Sequence, residues 1–306
     1  MFARELGPVN PTKVGAPARH DVAFGVRRKR APRSGRNARA IPKFRARSRG
    51  VIVDPFFYLI AVPAIVLTGI GKGGFGAGLG FASVAILTLA IPPLQAAGIM
   101  LPVLCVMDLF GVWAYRNNWS REHMPIILTG GLIGIAVGWA TASVVDDATV
   151  RLIVGLVAVA FSLNHWLRGG ADAAPAQRSW PKGVFWSGLS GFTSFVAHAG
   201  GPPLSVYLLP LKIDKTVFQA TTVMFFTVVN YVKLGPYYLL GQLRIENLAT
   251  ALVLLPVAPL AMGLGIWLHK RVSPLWFYRI VYALVFVVGL KLVWDGLGIG
   301  RWLALA

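Results

Sequence analysis

Apolar residues dominate the chain from about residue 52 onward, in runs of the length that a helix needs to cross a bilayer, ~20 residues. Glycine, proline and polar residues separate these runs. The pattern predicts an all-α polytopic membrane protein, because a helix satisfies its own backbone hydrogen bonds where no water is present. The predicted helices span residues 54–70 with a continuation to 91, 95–116, 124–144, 148–168, 183–198 with a continuation to 211, 216–240, 246–268 and 274–295.

Two of these helices are predicted to be broken. Six of the ten residues in Gly71–Gly80 are glycine, and His198 is followed closely by Gly200-Gly201-Pro202-Pro203. Proline removes a backbone donor and disfavours helix in the residue before it, so the second segment is irregular. Counting each broken helix as one crossing gives about eight transmembrane helices.

Short matches recur along the chain in the same order and at a nearly constant offset. They pair Gln95 with Gln219 and Gly111 with Gly235 at 124, Gly73-Gly74 with Gly200-Gly201 at 127, and Arg151 with Arg279 at 128. We therefore predict two repeat-related halves. The predicted organisation is a basic tail over 1–50, a first transmembrane repeat over 51–168, a linker over 169–181 and a second repeat over 182–306. In repeat-built transporters, broken segments at corresponding places mark the binding site.

Composition supports membrane embedding, since 56% of the residues are hydrophobic and 13% are charged. Most of the net charge of +19 lies in the tail, where 14 Lys and Arg face 2 Asp and Glu. This tail is predicted to be disordered and to lie near anionic membrane lipid. A translation start further downstream is the alternative. Because the basic residues are not displayed on a folded surface, their distribution argues against a nucleic-acid-binding fold, and we expect no nucleic-acid partner.

Basic residues also predict orientation through the positive-inside rule. The tail is expected on the cytoplasmic side together with Arg116, Arg121, Arg168, Arg178 and Lys182, which places the N-terminus inside, and Asp146-Asp147 is expected outside. The orientation of the second half is not decided by the sequence. Its cluster His269-Lys270-Arg271 falls outside unless the second break adds a crossing.

The first break has two interpretations. Its glycines allow close helix packing. Alternatively, the break frees backbone N–H groups and starts a new helix with partial positive charge, which attracts an anion, and Lys72 strengthens that preference. The stretch contains G-x-G-x-x-G, but membrane-spanning flanks replace the strand–turn–helix unit that a dinucleotide site requires. It also fails as a phosphate-binding loop, because Gly73 follows Lys72 where Ser or Thr is needed.

The second break and the intramembrane polar residues complete the candidate site. His198 is placed to bind an oxyanion or carry a proton, or simply to bond a neighbouring carbonyl. Asp108, Asn230 and Lys233 lie inside apolar spans, where an ionisable residue by default faces the interior and has a partner. Asp108 and Lys233 fall in equivalent spans, and we expect them to pair. The predicted substrate-binding residues are Lys72, Gly73, Gly74, His198, Gly200, Gly201 and Pro202, with Thr193, Ser194 and Ser205 as further donors.

Enzyme chemistry has little support, because no catalytic triad, carboxylate pair or metal-ligand cluster is present. The single cysteine, Cys105, lies in an apolar run and is expected to be buried and inert. The sequence predicts no cofactor and no metal. It predicts a secondary transporter of a small anion, with a membrane scaffold or accessory subunit and an anion channel as alternatives.

The two breaks also carry a family resemblance. Gly71-Lys72-Gly73-Gly74-Phe75-Gly76-Ala77-Gly78, Pro92-Pro93-Leu94-Gln95-Ala96-Ala97-Gly98, Ala197-His198-Ala199-Gly200-Gly201-Pro202-Pro203 and Asn230…Lys233-Leu234 resemble the sulfite exporter TauE/SafE family of membrane permeases. The resemblance covers about residues 54–295. It implies transport of sulfur-containing anions such as sulfite or sulfonates, in a bacterial inner membrane, coupled to an ion such as a proton or sodium. Substrate, direction, coupling ion and a homo-oligomeric state are left open by the sequence.

Overall fold

Acidic, serine and proline residues mark where several helices begin. The carboxylate of Asp54 accepts a hydrogen bond from Phe56 N at 3.0 Å, and that of Asp214 accepts one from Thr216 N at 2.7 Å. These side chains satisfy backbone donors that have no partner within the first turn. Pro55 and Pro274 occupy first-turn positions, where a missing N–H costs nothing.

The computed structural model describes residues 51–76, 80–87, 90–142, 147–167 and 174–298. These residues form the helices α1 (Pro55–Ile70), α2 (Gly80–Leu87), α3 (Pro93–Tyr115), α4 (Met124–Ala140), α5 (Asp147–Leu167), α6 (Trp180–Ala197), α7 (Gly201–Leu208), α8 (Lys215–Leu239), α9 (Ile245–Leu254), α10 (Val257–Arg271) and α11 (Pro274–Gly296). A π-helical turn, Gly71–Phe75, extends α1, and a 3₁₀ turn, Leu209–Leu211, extends α7. The predicted all-helical architecture is confirmed for the described residues.

The first broken helix returns to the end of the molecule where it began. Before α1, Ile52 N donates to Thr250 Oγ1 of α9 at 3.2 Å. After α2, Gly98 near the start of α3 packs against Gln242 and Asn247, just before and within the start of α9. Both sides of the α1–α2 hairpin therefore lie at one end of the molecule, which we call end 1.

The second broken helix returns in the same way at the opposite end, which we call end 2. Before α6, Arg178 pairs with Glu122 of the α3–α4 loop at 3.3 Å, and Ala176 N donates to Pro210 O at 2.8 Å. After α7, Thr221 Oγ1 near the start of α8 accepts a hydrogen bond from Ser120 N of the same α3–α4 loop at 2.8 Å. The two hairpins thus enter from opposite ends, and α3, rising ~34 Å over its length, separates those ends.

Helices from the first part of the chain pack mainly on helices from the second part. The largest contacts join α4 to α6, α5 to α11, α1 to α10 and α3 to α8. At the α1–α10 contact, a Cβ added to Gly265 would lie 2.6 Å from Ile70 O, and one added to Gly73 would lie 2.6 Å from Met262 O. At the α4–α6 contact, Gly134 meets Gly188 and Gly191 meets Gly131. Glycine therefore permits backbone-to-backbone contact at both hairpins.

Five helices are long and apolar enough to cross a membrane, and the bent pair α9 and α10 makes a sixth. The five are Pro55–Phe75, Leu94–Tyr115, Ala148–Leu167, Lys215–Leu239 and Pro274–Gly296, and the 17-residue α4 is also apolar but shorter. The structure is therefore that of an integral membrane protein. The total of eight spans, in which each broken helix counts as one crossing, stays a prediction.

The hairpins also bear on the expected orientation. Since α1 and α2 return to end 1, Ile52 and Arg116 lie at opposite ends of α3. The predicted orientation of the tail and of the Arg116–Arg121 loop stays a prediction. His269-Lys270-Arg271 lies at end 2 with Arg116, because α10 ends beside the end of α3.

Two glycines of α10 test the importance of backbone contact. We expect Gly265→Ala to destabilise the protein by about 1–3 kcal/mol, because its methyl group would overlap the Ile70 carbonyl. The matched control is Gly263→Ala, where an added Cβ meets nothing within 4 Å and helix propensity slightly favours alanine. The measurement is thermal unfolding in detergent, and equal stability of the two variants would contradict the packing argument.

Candidate functional site

The first break is a buried π-helical turn in which every residue from Gly71 to Phe75 is buried. It ends at Gly76, whose φ of 75° lies in the left-handed region where a glycine is favoured. Gly73 and Gly74 lie directly on the backbone of α10, which agrees with the packing interpretation of the first break, and their role in substrate binding stays a prediction. Residues Ala77–Leu79 of the predicted break lie outside the described residues.

Side chains from three other helices bind the carbonyl oxygens of this turn. Gln219 Nε2 of α8 donates to Lys72 O at 2.6 Å, Tyr115 OH of α3 donates to Gly73 O at 2.7 Å, and His269 Nδ1 of α10 lies 2.9 Å from Gly74 O. Because a carbonyl oxygen only accepts, Nδ1 of His269 carries a proton. The break is thus held by side-chain hydrogen bonds from three neighbouring helices.

The Lys72 side chain makes a buried ion pair. Its Nζ lies 2.6 Å from Asp108 Oδ1 of α3, while Asn230 Nδ2 of α8 donates to Asp108 Oδ2 at 2.8 Å. The Lys72 ammonium also lies 6.0 Å from the centre of the Phe226 ring, within reach of a cation–π interaction. Both oxygens of the fully buried Asp108 are therefore occupied.

The second break is a left-handed turn at His198. This residue has φ 52° and ψ 22°, and Ala199 N donates back to Thr193 O at 3.1 Å, which closes the end of α6. Gly200 then precedes α7, and Gly201 and Pro202 form its first turn. A Cβ on Gly200 would lie 2.7 Å from Ser190 O, so this glycine too is required by close approach.

Hydroxyl groups around the second break contact its carbonyl oxygens and do not point into an open space. Ser190 Oγ donates to Gly200 O at 2.6 Å, Thr193 Oγ1 contacts Ala199 O at 3.2 Å, and Ser205 Oγ donates to Gly201 O at 3.0 Å. Thr193 and Ser205, predicted as further donors, therefore contribute to the turn itself.

Lys233 of α8 points at this second break. Its fully buried ammonium donates to Ser194 O at 3.0 Å, to Ser194 Oγ at 3.1 Å and to His198 Nδ1 at 3.1 Å. His198 Nε2 in turn lies 3.3 Å from Tyr237 OH, which donates to Phe195 O at 2.9 Å. Because Nδ1 accepts from the lysine, Nε2 carries the proton of a neutral imidazole. The three ammonium hydrogens all have partners, and all of those partners are neutral.

The predicted ion pair between Asp108 and Lys233 is wrong, because each residue has a different partner. Asp108 pairs with Lys72, and Lys233 is held by Ser194 and His198. A span-level repeat match places both residues at similar depth, but it does not say which side of each helix faces which neighbour. Within the described residues, the structure still brings Lys72, Asp108, Asn230, His198 and Lys233 to the region between the two breaks.

Four residues of the site were not singled out in the sequence. They are Tyr115, Gln219, Tyr237 and His269, which bind backbone carbonyls of the breaks or His198. Gln219 carried a signal as the repeat partner of Gln95, but that match was used only to align the halves. For the two tyrosines, an aromatic residue near a helix end is too common to indicate a role.

The buried groups include more bases than acids. Lys72 and Lys233 are two buried lysines, Asp108 is one buried carboxylate, and among the described residues no carboxylate lies within 4 Å of Lys233 Nζ. A buried charge without a counter-charge is costly and is by default functional in a membrane. The arrangement favours a small anion near the two breaks.

This geometry defines a class of protein. It is a helical membrane protein in which two broken hairpins enter from opposite ends and a buried basic site lies between them. The family model described as Sulfite exporter TauE/SafE matches residues 61–292. The chain belongs to this family, which confirms the resemblance and implies a membrane transporter of sulfur anions. Neither the curated proteins nor the solved structures give a significant match to the chain.

A double-mutant cycle tests the revised pairing. We expect Asp108→Asn and Lys72→Gln each to lower stability strongly, because each leaves a buried charge without its partner. The double variant is expected to lose less than the sum, with a coupling energy of about 1–3 kcal/mol from thermal or denaturant unfolding in detergent.

The matched cycle combines Asp108→Asn with Lys233→Gln, for which we expect a smaller coupling because the two side chains are not in contact. A larger coupling to Lys233 than to Lys72 would restore the pair expected from the sequence.

Proposed function

We propose that the protein is a secondary transporter of a small, sulfur-containing anion such as sulfite or an organosulfonate. The observation that carries the proposal is Lys233, a fully buried lysine whose Nζ contacts Ser194 and His198 and has no carboxylate partner among the described residues. An anion between the breaks would supply a counter-charge to the ammonium form of this lysine. The family membership supports the sulfur-anion class.

In the proposed binding step, the anion replaces existing partners of the two lysines and does not bind to donors that lack a partner. The anion takes the place of His198 Nδ1 at the Lys233 ammonium, and it competes with the Asp108 carboxylate for Lys72. Gly73, Gly74, Gly200, Gly201 and Pro202 stay in the proposal as the irregular backbone around the anion. Proton uptake at Asp108 would release Lys72 from its carboxylate partner for the anion, so we propose a proton rather than sodium as the coupling ion.

We also propose that the chain consists of two inverted repeats, with the first over 51–168 and the second over 182–306. The helix pairing supports this relation, because exchanging the two parts of the chain exchanges the α1–α10 contact with the α6–α4 contact. The same exchange maps α3 onto α8 and α5 onto α11. In the structure, α3 packs on α8 and α5 packs on α11, so each of these helices contacts its own repeat equivalent. The entry of the two hairpins from opposite ends agrees with inversion.

For the location, we propose a bacterial inner membrane with the N-terminus in the cytoplasm. The tail's net charge of +12 supports this orientation. The basic residues of end 2 favour the opposite orientation by the same rule, and they include Arg116, Arg121, Lys270 and Arg271. Anionic lipid at the tail and a homo-oligomer also stay predictions.

Flux into proteoliposomes tests the transporter proposal. We expect saturable uptake of sulfite, thiosulfate or a short sulfonate, accelerated by an imposed proton gradient. Lys233→Gln is expected to lower transport efficiency about 10-fold or more, because it removes a charge-assisted contact. The matched control, Lys182→Gln, neutralises an exposed lysine at the start of α6 and should transport normally.

The outcome also separates the alternatives. Flux that does not saturate and ignores the gradient would indicate a channel. No flux of any of these anions, from a wild-type protein with a cooperative thermal transition, would favour a scaffold in which the glycine breaks serve packing alone.

Cysteine labelling tests the orientation. In a Cys105→Ala background, Arg244→Cys reports end 1 and Asn117→Cys reports end 2. With the N-terminus inside, a membrane-impermeant maleimide should label residue 117 in intact cells with a permeable outer membrane, and residue 244 only after the inner membrane is opened. The reverse pattern would place end 2 in the cytoplasm.

A further inference from the structure

A cavity of 590 Å³ opens at end 2, outside the region between Lys72 and Lys233. The end of α3, the start of α8 and the end of α10 line it. Its size is within the range of small-molecule sites. The function proposed above does not use it.

The cavity is basic. Arg116, Lys215 and Lys270 line it, and none of its described lining residues is acidic. The nearest acidic residue along the chain, Asp214, directs its carboxylate to the backbone N–H groups of Thr216 and Val217 at the start of α8. A concave surface with one sign of charge concentrates ions of the opposite sign.

One of these cations also orders the wall of the cavity. Lys215 Nζ donates to His269 O at 2.9 Å and to Val272 O, the carbonyls at the end of α10. A cation at this position compensates the partial negative charge of a helix C-terminus. The α10 carbonyls therefore do not repel an anion from the cavity as they otherwise would.

Two lining side chains join the cavity to the first break. Tyr115 OH donates to Gly73 O at 2.7 Å, and His269 binds Gly74 O at 2.9 Å through Nδ1. His269 Nε2 lies 3.3 Å from Thr216 Oγ1, which also lines the cavity. The innermost wall of the cavity is thus one side-chain layer away from the π-helical turn that carries Lys72.

We propose that this cavity is an oxyanion-binding vestibule, where a small sulfur oxyanion or sulfonate from the water at end 2 binds before it reaches the first break. The proposal rests on the transport function for the second step, but binding at the vestibule stands on the cavity alone. Tyr115 and His269 separate the two compartments, and their release of Gly73 O and Gly74 O opens the way. The phosphate of an anionic lipid headgroup shares this chemistry, so the source of the oxyanion is part of the test.

Thiol modification measures the charge of the vestibule directly. In the full-length Cys105→Ala protein, Asn118→Cys lines the cavity, and Gln177→Cys is the control, exposed at the same end but outside the cavity. The reagents are the anionic sulfonatoethyl and the cationic trimethylammonioethyl methanethiosulfonates. We expect the anionic-to-cationic rate ratio at residue 118 to exceed that at 177 by about 10-fold. Equal ratios would overturn the proposal.

Charge removal identifies the residues responsible. Arg116→Gln with Lys270→Gln should reduce the ratio at residue 118 toward the control value, and both side chains are exposed, so folding is not at risk. Lys182→Gln, at the same end but outside the cavity, should leave it unchanged. An equal effect of Lys182→Gln would assign the selectivity to the general charge of end 2 and would overturn a specific vestibule.

Protection experiments in nanodiscs separate the two sources of oxyanion. With neutral phosphatidylcholine, sulfate at constant ionic strength should slow modification at residue 118 and not at 177. Protection by phosphatidylglycerol in the absence of sulfate would identify a lipid headgroup as the occupant and overturn the vestibule for free anions. Because these readouts need no flux, failure of transport and failure of the vestibule are distinguishable.

Discussion

A broken helix inside a hydrocarbon layer leaves carbonyl oxygens that water does not reach. Each one costs several kcal/mol if it stays unpaired, so an irregular segment is stable there only when other side chains bind it. In the first break, residues from α3, α8 and α10 bind three successive carbonyls. In the second, serine and threonine hydroxyls of α6 and α7 bind the carbonyls from Ala199 to Gly201. The position of the surrounding helices follows from this requirement.

The same requirement explains how two lysines are kept inside the protein. Lys72 is neutralised by Asp108, whereas Lys233 is solvated by a carbonyl, a hydroxyl and an imidazole nitrogen. The two lysines differ in their electrostatic surroundings, since only Lys72 has a carboxylate as its partner. The proposed anion site depends on this difference between the two breaks.

The sequence predicted the helical architecture, the two breaks and the polar residues between them, because helix-breaking residues and intramembrane charges are local signals. The partners of those charges were not predictable in the same way. Asp108 contacts Lys72 through the packing of the Gly71–Phe75 turn on α3, and this packing cannot be read from the local sequence of either segment. For the same reason Tyr115 and His269, which are distant in sequence from the breaks they bind, were missed.

The glycine contacts of α10 and α4 have a consequence for movement. Gly73 and Gly74 lie on the backbone of α10, and Gly188 and Gly191 lie on that of α4, with no flexible side chain between the surfaces. Contacts of this kind resist sliding, because backbone atoms have no rotamers with which to adapt. Each hairpin is therefore expected to travel with a helix from the other part of the chain. Any rigid body that rocks during a transport cycle would be assembled from both parts of the sequence, and the α3–α8 seam would be the surface along which the two bodies move past each other.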